Sequence, residues 1–488
     1  MAATPGGPLI VASSRPAEKF GFVPAESLGP TFALATRLLQ TILLPWYHGL
    51  VNQQRLKRAV GNWVCGESFW DRQRELELLI EYLDDGAQVL LVGQRRIGNT
   101  SLMREAARRI DDRYLCLHVD LQQAHSAADA VAELSAATHP HAPLWAKTKS
   151  VFANILTGIA GRIDSLSVED LRVTLRGALT GSEWQAKGDR VMEILAGAGK
   201  PVVLFIDEVP LLICEMLKGS EYQITPERRD HANAFLSWLR ANGIRHKGRV
   251  RVVLSGSIGL EPIVRQAGLS GTLGYLMPFE LGPWSHDTAA GCLTALANQY
   301  QVEFLPGTID GMLDLIGVAI PHYVEMFFDH VYWACSLEGW QQVSKEHVAA
   351  VYERSMLSAR GHAELSQLEE RLKVVLGPEL HPLALDLLSE AALSGRLTRQ
   401  AAEVLSCEYL VAGAPSGEVL REILGILEHD GYLRQEEADA YVFVSKLLKD
   451  WWAARFRFAF VPAGRRKPAG AKPRFGFLPA AGGTEAEG

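Results

Sequence analysis

The sequence predicts an α/β protein in which helices cover both faces of a parallel β-sheet. Four apolar segments have the length and composition of buried strands, at 88–93, 114–122, 201–213 and 249–257. A fifth, shorter strand is predicted within 276–285. Segments with helical spacing of apolar residues separate these strands, and such alternation is typical of parallel sheets connected by crossover helices.

The composition indicates a soluble globular protein with two or three domains. The chain has 488 residues, of which 48% are hydrophobic, and a formal net charge of −7. This mild acidity provides no general attraction to nucleic acid or to anionic membranes. The six cysteines lie far apart without a C-x-x-C pair, which favours reduced thiols in a cytoplasmic protein over disulfides or a zinc site.

The N-terminal extension, residues 1–64, contains one long apolar segment at 28–51. Its length is about that of a membrane-spanning helix. However, Arg37 and His48 interrupt it, and Pro45 lies within it. The spacing of its apolar residues therefore predicts an amphipathic helix packed on the protein, with peripheral contact to a membrane or a partner as the alternative.

A phosphate-binding loop is predicted at Val92–Leu102, which reads VGQRRIGNTSL. The Walker A pattern is G-x-x-x-x-G-K-[ST]; Gly93, Gly98 and Thr100 occupy its positions, and Asn99 stands in place of the lysine. In such a loop the backbone N–H groups and the start of the following helix bind phosphate. The Thr100 hydroxyl would bind Mg²⁺.

An acidic pair and a serine turn complete the predicted nucleotide site. Asp207 and Glu208 follow the apolar run Val202–Ile206, as expected of residues that hold the Mg²⁺ shell and polarise an attacking water. Ser255 and Ser257 follow the fourth strand, where a polar side chain would contact the γ-phosphate or that water. Together with the loop, these residues predict a nucleotide-binding fold.

Five segments resemble, in chain order, those of the archaeal-type STAND ATPases, a branch of the AAA+ P-loop fold: FWDRQREL (69–76), GQRRIGNTSL (93–102), FIDEV (205–209), LSGSIGL (254–260) and IPHYVEMF (320–327). The resemblance covers about 65–456. It implies a P-loop core at 65–285 with strand order 5-1-4-3-2, a helical lid at 286–376 and a C-terminal winged-helix domain at 377–457. The resemblance does not explain 458–488, whose Pro/Gly/Ala-rich composition predicts a disordered tail.

The resemblance also implies which residues hold ATP or ADP and Mg²⁺. Arg72 belongs to the motif that helps to seat the adenine, Arg95 and Arg96 match the family's paired arginines, and Pro321 and His322 lie where the lid meets the nucleotide. The implied catalytic residues are Asp207 and Glu208, the Mg²⁺ ligands are Thr100 and Asp207, and the nucleotide-binding residues are Arg72, Gly93, Arg95, Arg96, Gly98, Asn99, Thr100, Ser101, Ser255, Ser257, Pro321 and His322.

Proteins of this family look like molecular switches, and many relatives act in bacterial defence or signalling. Nucleotide bound between the sheet domain and the lid holds the winged helix in place, and exchange or hydrolysis releases it for assembly. The resemblance therefore implies a nucleotide-controlled switch that binds a protein partner or assembles with itself.

Asn99 leaves three alternatives open. Replacing a cationic lysine by a neutral amide removes a contact worth on the order of 1.5–3 kcal/mol. The protein then binds nucleotide but hydrolyses it poorly, or binds none and is a scaffold, or carries an engineered or sequencing change at position 99. The intact pair Asp207–Glu208 argues against long decay of the site, but whether the chain is an active ATPase stays open.

Two further functions deserve comparison with the switch. A DNA-bound regulator would use the winged helix, but residues 381–455 contain twelve acidic and seven basic residues and would repel phosphates. A scaffold would use the motif KFGFVPA at 19–25, which returns as RFAFVPA at 457–463 and RFGFLPA at 474–480. Its paired phenylalanines would anchor a partner, although chance similarity is the alternative.

Overall fold

The computed structural model describes residues 56–156, 168–179, 183–358, 363–409, 416–437 and 440–466, which belong to one compact unit. The helix predicted at 28–51 lies outside these residues, as do most of the predicted tail and two copies of the phenylalanine motif. In the described part of the chain, no helix has both the length and the apolar character needed to cross a bilayer.

The central sheet has the predicted strand order. Its strands are β1 (Val89–Gly93), β2 (Leu115–Asp120), β3 (Val202–Asp207), β4 (Val250–Leu254) and β5 (Met277–Leu281). They pair in parallel as β2-β3-β4-β1-β5, which is the order 5-1-4-3-2 read from the opposite edge. The inner strands β3 and β4 are buried almost throughout because helices pack on both faces. The carboxyl ends of β1, β4 and β3 therefore lie side by side, where ligands bind in open parallel sheets.

Helices cover the faces of this sheet. In the described residues they are α1 (Gln73–Asp84), α2 (Asn99–Arg109), α3 (Ala127–Ala136), α4 (Ala142–Val151), α5 (Ala153–Leu156), α6 (Val168–Ala178), α7 (Glu183–Ala196), α8 (Val209–Lys218), α9 (Pro226–Arg245) and α10 (Leu260–Gln266). Local signals set several starts: the side chains of Ser126 and Thr225 accept backbone N–H bonds at the first turns of α3 and α9.

A helical segment follows the sheet, and we call its residues 286–358 the lid segment. It contains α11 (His286–Tyr300), β6 (Glu303–Phe304), α12 (Thr308–Ile316), α13 (Pro321–Glu338), β7 (Gln342–Val343) and α14 (Lys345–Val351), and it ends in a π-helical turn, Tyr352–Met356. Arg58 fastens residues 56–64 to this segment. Its guanidinium lies 2.6 Å from Asp329 and over the rings of Tyr300 and Tyr332.

The last part of the chain packs around a small antiparallel sheet, and we call residues 378–466 the C-terminal module. Its elements are the end of α15 (Ala363–Leu393), then β8 (Leu397–Thr398), α16 (Arg399–Ser406), α17 (Ser416–His429), β9 (Leu433–Glu437), β10 (Ala440–Phe443) and α18 (Lys446–Phe456). The strands pair as β8-β10-β9, and β9 with β10 forms an antiparallel pair. Trp451 and Trp452 of α18 are fully buried and anchor its core.

The predicted boundary between lid and C-terminal domain falls inside α15. This helix runs from 363 to 393 across a kink at Gly377, whose φ of 73° lies in the left-handed region. A Cβ at Gly377 would lie 3.0 Å from the Tyr222 side chain, so the kink is packed against the helical core. One element therefore belongs to both predicted domains.

Residues up to 466, which include the first part of the predicted disordered tail, make contacts with the C-terminal module. Ala463 is buried and donates its N–H to Glu390, and Arg466 lies 2.6 Å from Glu408 and 3.0 Å from Asp386. These ion pairs, which join residues far apart in sequence, hold the chain against the C-terminal module up to 466. In the one described copy of the phenylalanine motif, Phe458 is 92% exposed.

Candidate functional site

The loop between β1 and α2 has the geometry of a phosphate-binding turn. Gly98 has a φ of 105°, and Arg96 also lies in the left-handed region with a φ of 69°. A Cβ at Gly93 would come within 2.7 Å of Asn99 Oδ1 and 2.8 Å of the Ile97 side chain. Gly93 and Gly98 are therefore required by packing and by backbone conformation, respectively.

Thr100 and Asp207 meet at the start of α2. The Thr100 hydroxyl donates a hydrogen bond of 2.6 Å to the Asp207 carboxylate, which lies at the end of β3. Burial raises the pKa of Asp207 above its usual range, although the Thr100 hydroxyl opposes this shift. Ser255 is buried at the end of the neighbouring strand β4. Two oxygen ligands predicted for Mg²⁺ are thus adjacent.

Glu208 is held by two neighbours. Ser257 donates its N–H and its hydroxyl to Glu208 Oε2, at 3.1 and 2.8 Å. The Arg371 guanidinium lies 3.6 Å from the same oxygen and also donates to the Ser257 hydroxyl. Burial raises the pKa of Glu208, although the charge of Arg371 opposes this shift. The predicted catalytic carboxylate is therefore already engaged by the protein.

The Asn99 side chain bonds to the protein backbone and does not extend toward the cavity as a free donor. Its amide nitrogen donates to the Gly256 carbonyl at 3.3 Å, which ties α2 to the turn after β4. Its Oδ1 atom is buried and has no hydrogen-bond partner among the described residues. An unpartnered buried acceptor is costly, so this atom favours a ligand that donates a hydrogen bond.

The paired arginines of the loop face a helix that lies far away in sequence. Arg95 and Arg96 both donate to Gln367 Oε1 on α15, the latter at 3.4 Å. Burial and the nearby charges of Arg371 and Arg96 lower the pKa of Arg95 to about 10. The Nε atom of Arg95 is buried without an acceptor in the described residues. This donor is available to a phosphate.

Arg72 and Ser101 connect the loop and the start of α2 to neighbouring segments of the chain. Arg72 is buried and donates to the carbonyls of Gly282, at 2.7 Å, and Ile97, at 3.4 Å. The Ser101 hydroxyl accepts the Val64 N–H at 3.1 Å. These contacts connect the segment before α1 to the P-loop and to the end of β5.

A cavity of about 430 Å³ joins these groups. Its lining includes the predicted residues Arg72, Arg95, Arg96, Gly98, Asn99, Thr100, Ser101, Asp207, Glu208, Ser257, Pro321 and His322. Gly93 and Ser255 instead line a smaller neighbouring pocket. The volume fits a small-molecule ligand. The structure therefore brings twelve of the fourteen predicted residues to one cavity and the other two to the smaller pocket beside it.

Several lining residues escaped the sequence-based prediction, among them Trp284, Glu325, Gln367 and Arg371. Glu325 lies within the motif segment 320–327 but was not assigned to the site, and the other three belong to none of the five motif segments. The spacing of Gln367 and Arg371, four residues apart in a helical pattern, places them on one face of a helix and is the only signal for them. Long-range packing brings this face to the P-loop.

Comparison with solved structures identifies the fold of the chain. No protein-family model matches the chain, and no curated protein matches it. A Walker-type ATPase of Pyrococcus abyssi has a similar structure, with a TM-score of 0.52 and 16% identity, over 81% of this chain and 99% of that chain. The chain has the fold of an AAA+ P-loop ATPase.

Two other solved structures are similar at lower TM-scores. The Orc2 protein of Aeropyrum pernix gives a TM-score of 0.46 at 13% identity, over 79% of this chain and 93% of that chain. The RuvB Holliday junction branch migration motor of Thermotoga maritima gives 0.38 at 12% identity, over 80% and 95%. At these identities the likeness concerns the fold alone.

In this P-loop ATPase fold, the C-terminal module contacts the phosphate-binding loop directly. Gln94 donates to the Gly431 carbonyl at 2.6 Å, and the Gly259 N–H donates to Asp430 at 3.0 Å. A Cβ at Gly259 would lie 2.2 Å from two ring atoms of His429. The module therefore packs closely on the edge of the P-loop core, at glycine positions where a side chain would collide with the facing residue.

Glu105 holds residues 64–68 against α2, and its substitution tests how much this contact contributes to stability. Its buried carboxylate accepts the Gly66 N–H at 2.8 Å and pairs with Arg108 and Arg109. Burial alone would raise its pKa, but bonds from Arg108, Gly66 and Arg109 outweigh it and lower the pKa to about 2. We expect Glu105→Gln to lower the free energy of unfolding by about 1 kcal/mol at pH 7, since both arginines are partly exposed and screened by solvent.

The pH dependence of this loss has a definite sign. The folded-state pKa of Glu105 is depressed from 4.5 to about 2, so its contribution is complete above pH 4.5 and disappears as the pH falls toward 2. Urea unfolding from pH 7 to pH 4 should therefore show a constant difference down to about 4.5 and a shrinking one below. Glu67→Gln, at an exposed neighbour, is the matched control. Equal effects of the two variants would contradict the assignment.

Proposed function

We propose that this protein is a STAND-like molecular switch that binds ATP or ADP with Mg²⁺ and hydrolyses ATP slowly or not at all. The observation that carries the proposal is the 2.6 Å contact of Thr100 with Asp207 at the wall of the P-loop cavity. It places the start of α2, where phosphate binds, beside the carboxylate that would complete a Mg²⁺ shell.

Buried polar atoms without partners support nucleotide binding. Around the cavity these atoms are the donor Arg95 Nε, the acceptor Asn99 Oδ1 and the donor Trp284 Nε1. Each is buried without a partner in the described part of the chain, and such atoms are rare in folded proteins. Phosphate oxygens would accept from Arg95, and a base or ribose would supply partners of both kinds.

Thr100 and Asp207 suit Mg²⁺, which prefers oxygen ligands and is commonly bound by one or two carboxylates together with substrate phosphates. Burial raises the pKa of Asp207, and a cation there would oppose this shift by stabilising the ionised carboxylate. When bound, the metal supplies positive charge to the phosphates. In the described residues no cluster of three or more His, Cys, Asp or Glu side chains forms an independent metal site.

Slow hydrolysis follows from two features of the chain. Asn99 contributes no positive charge where charge spreads over the γ-phosphate oxygens during transfer. Glu208, the residue proposed to polarise water, accepts from Ser257 and lies 3.6 Å from Arg371. These donors occupy Glu208 Oε2, and this oxygen is open to an attacking water only after they move away. ATPase activity is therefore expected only after a rearrangement of α15.

The C-terminal module is proposed to be a winged helix whose position reports the nucleotide. Its contacts at Gly431 and Asp430 join the ends of β1 and β4, while Gln367 and Arg371 reach the same cavity from α15. A triphosphate that attracted Arg371 would weaken its hold on Glu208 and Ser257. The released module would then bind a protein partner or a second copy of the chain, in the cytoplasm, as in defence or signalling.

DNA binding receives less support than protein binding. The acidic excess at 381–455 remains, and Arg455 and Arg466, two basic residues near the end of the described chain, pair with Glu369, Asp386 and Glu408. These ion pairs reduce the positive charge available for phosphates. The scaffold alternative, in which the phenylalanine motifs act without nucleotide, is separated from the switch by the titration below.

Titration with ATP, with and without Mg²⁺, tests the proposed function. We expect the wild-type protein to bind ATP more tightly with Mg²⁺, and Asp207→Ala to lose this gain while keeping Mg²⁺-independent binding. Asp120→Asn is the matched control because Asp120 ends the adjacent strand β2 in register with Asp207 and is exposed. Isothermal titration calorimetry provides the measurement. No binding at millimolar ATP by wild type or by Asn99→Lys would overturn the proposal.

A further inference from the structure

One carboxyl group in the cavity has no role in phosphate or Mg²⁺ binding. Glu325 lies on α13 of the lid segment, one helical turn after Pro321 and His322, and lines the cavity. It accepts a hydrogen bond from the Ala59 N–H. Asp329, one turn further along the same helix, pairs with Arg58, whereas no cation in the described residues pairs with Glu325.

Aromatic side chains line the cavity that Glu325 also lines. The same cavity is lined by Trp63, Trp70, Trp284 and His322, and by the backbone of residues 59–64. Trp284 is 8% exposed, and its indole N–H has no hydrogen-bond partner among the described residues. A planar heterocycle with hydrogen-bond acceptors would stack against such rings and satisfy this donor.

Burial also sets the ionisation of this carboxyl. Desolvation raises the pKa of Glu325 to about 7, and only the Ala59 N–H opposes the shift. In its neutral form the group presents one O–H donor and one carbonyl acceptor side by side. The Watson–Crick edge of adenine presents the complement, since its N6 amine donates and its N1 atom accepts. An ionised carboxylate, with two acceptors, instead matches the two N–H donors of guanine.

We infer that Glu325 is the base-recognition residue of the cavity and that its neutral carboxyl binds the N1 and N6 atoms of adenine. The inference rests on the proposed nucleotide-binding function and adds the identity of the base to it. It also makes adenine affinity depend on pH through one side chain, because ionisation removes the donor to N1.

Other titratable groups lie on the elements around the cavity and enter the design of the test. They are Arg58 on the segment 56–64, Cys292 on α11, His322 and Asp329 on α13, and Arg72 and Arg95 across the cavity. Glu325→Gln keeps all of them and also keeps one donor and one acceptor at position 325, without ionisation. A pH dependence that is present in the wild-type protein and lost in Glu325→Gln therefore arises from Glu325, and not from another side chain or from the nucleotide.

The test measures the affinities of ADP, GDP and pyrophosphate at pH 6 and pH 8 by calorimetry. Wild-type affinity for ADP should fall about tenfold between these values, since the neutral fraction of a group with a pKa of about 7 falls by that factor. Glu325→Gln should bind ADP equally at both. Glu325→Ala should bind ADP about tenfold more weakly at pH 6 and bind pyrophosphate as wild type does. Glu338→Gln, exposed at the end of the same helix, is the control.

Each outcome separates this inference from the proposed function. Binding of pyrophosphate and ADP that is unchanged in Glu325→Ala overturns the role of Glu325 and leaves the nucleotide site intact. GDP affinity equal to or above that of ADP at pH 6 overturns adenine as the base. Absence of binding of any of the three ligands by the wild-type protein overturns the proposed function itself.

Discussion

Gly259→Ala is expected to separate the C-terminal module from the ATPase core. The backbone of Gly259 has a φ of −72°, which alanine adopts without strain, but its Cβ would lie 2.2 Å from the His429 ring. The His429 ring or the whole module must shift, and a shift of the module lengthens or breaks the bond from the Gly259 N–H to Asp430. Overpacking of this kind costs about 1–3 kcal/mol, which is a five- to 150-fold change in the docking equilibrium. Hydrogen exchange of residues 416–437 is the measurement.

A second substitution makes the steric origin testable. In Gly259→Ala/His429→Ala the ring is gone and the alanine stays, so we expect protection of residues 416–437 to return. This double variant also separates the collision from any loss of helix capping at Gly259, which begins α10. Gly271→Ala is the control, since a Cβ there meets open space. Unchanged exchange in Gly259→Ala would show that the module does not depend on this contact.

Asn99→Lys is expected to raise the affinity for ATP by about 10- to 100-fold. The ammonium group would add a charged contact to phosphate worth about 1.5–3 kcal/mol. The substitution removes the bond from Asn99 to Gly256 and also removes the buried, unpartnered Oδ1 atom, so its structural cost is small. Calorimetry with a non-hydrolysable ATP analogue measures the gain, and phosphate release reports whether hydrolysis begins.

Asn99→Met is the matched control for this gain. Methionine is close to lysine in length but carries no charge, so it should leave the affinity unchanged or lower it. A gain in both variants would assign the effect to packing of the loop rather than to charge. If Asn99→Lys bound no more tightly than wild type, the loop would not hold phosphate in the way proposed here.

Local sequence signals were sufficient for the P-loop core. The strands ending at Gly93 and Asp207 are short apolar runs whose type and end are set by neighbouring residues, and the strand order follows from the fold that these motifs imply. The meeting of Thr100 and Asp207 was predictable for the same reason. Both lie at carboxyl ends of strands that share one edge of the sheet.

The remaining part of the site depends on contacts between distant parts of the chain. Arg371 is 114 residues from Ser257 in sequence, and Gln94 is 337 residues from Gly431. No periodicity encodes such a pair, because side-chain packing of α15 and the C-terminal module decides it. The packing of residues 463–466 escaped the sequence-based prediction for a related reason, since the acidic partners of Arg466 are Asp386 of α15 and Glu408, which follows α16.

The kinked helix α15 has a thermodynamic consequence. Residues 367 and 371 touch the cavity, and the same helix continues past Gly377 into the C-terminal module. In the proposed switch, occupancy of the cavity and position of the module are coupled equilibria, and their coupling free energy is the same in both directions. If a triphosphate favours release of the module by a given factor, a partner that binds the released module strengthens triphosphate binding by the same factor. A partner protein would thus act as a nucleotide-affinity regulator without touching the nucleotide.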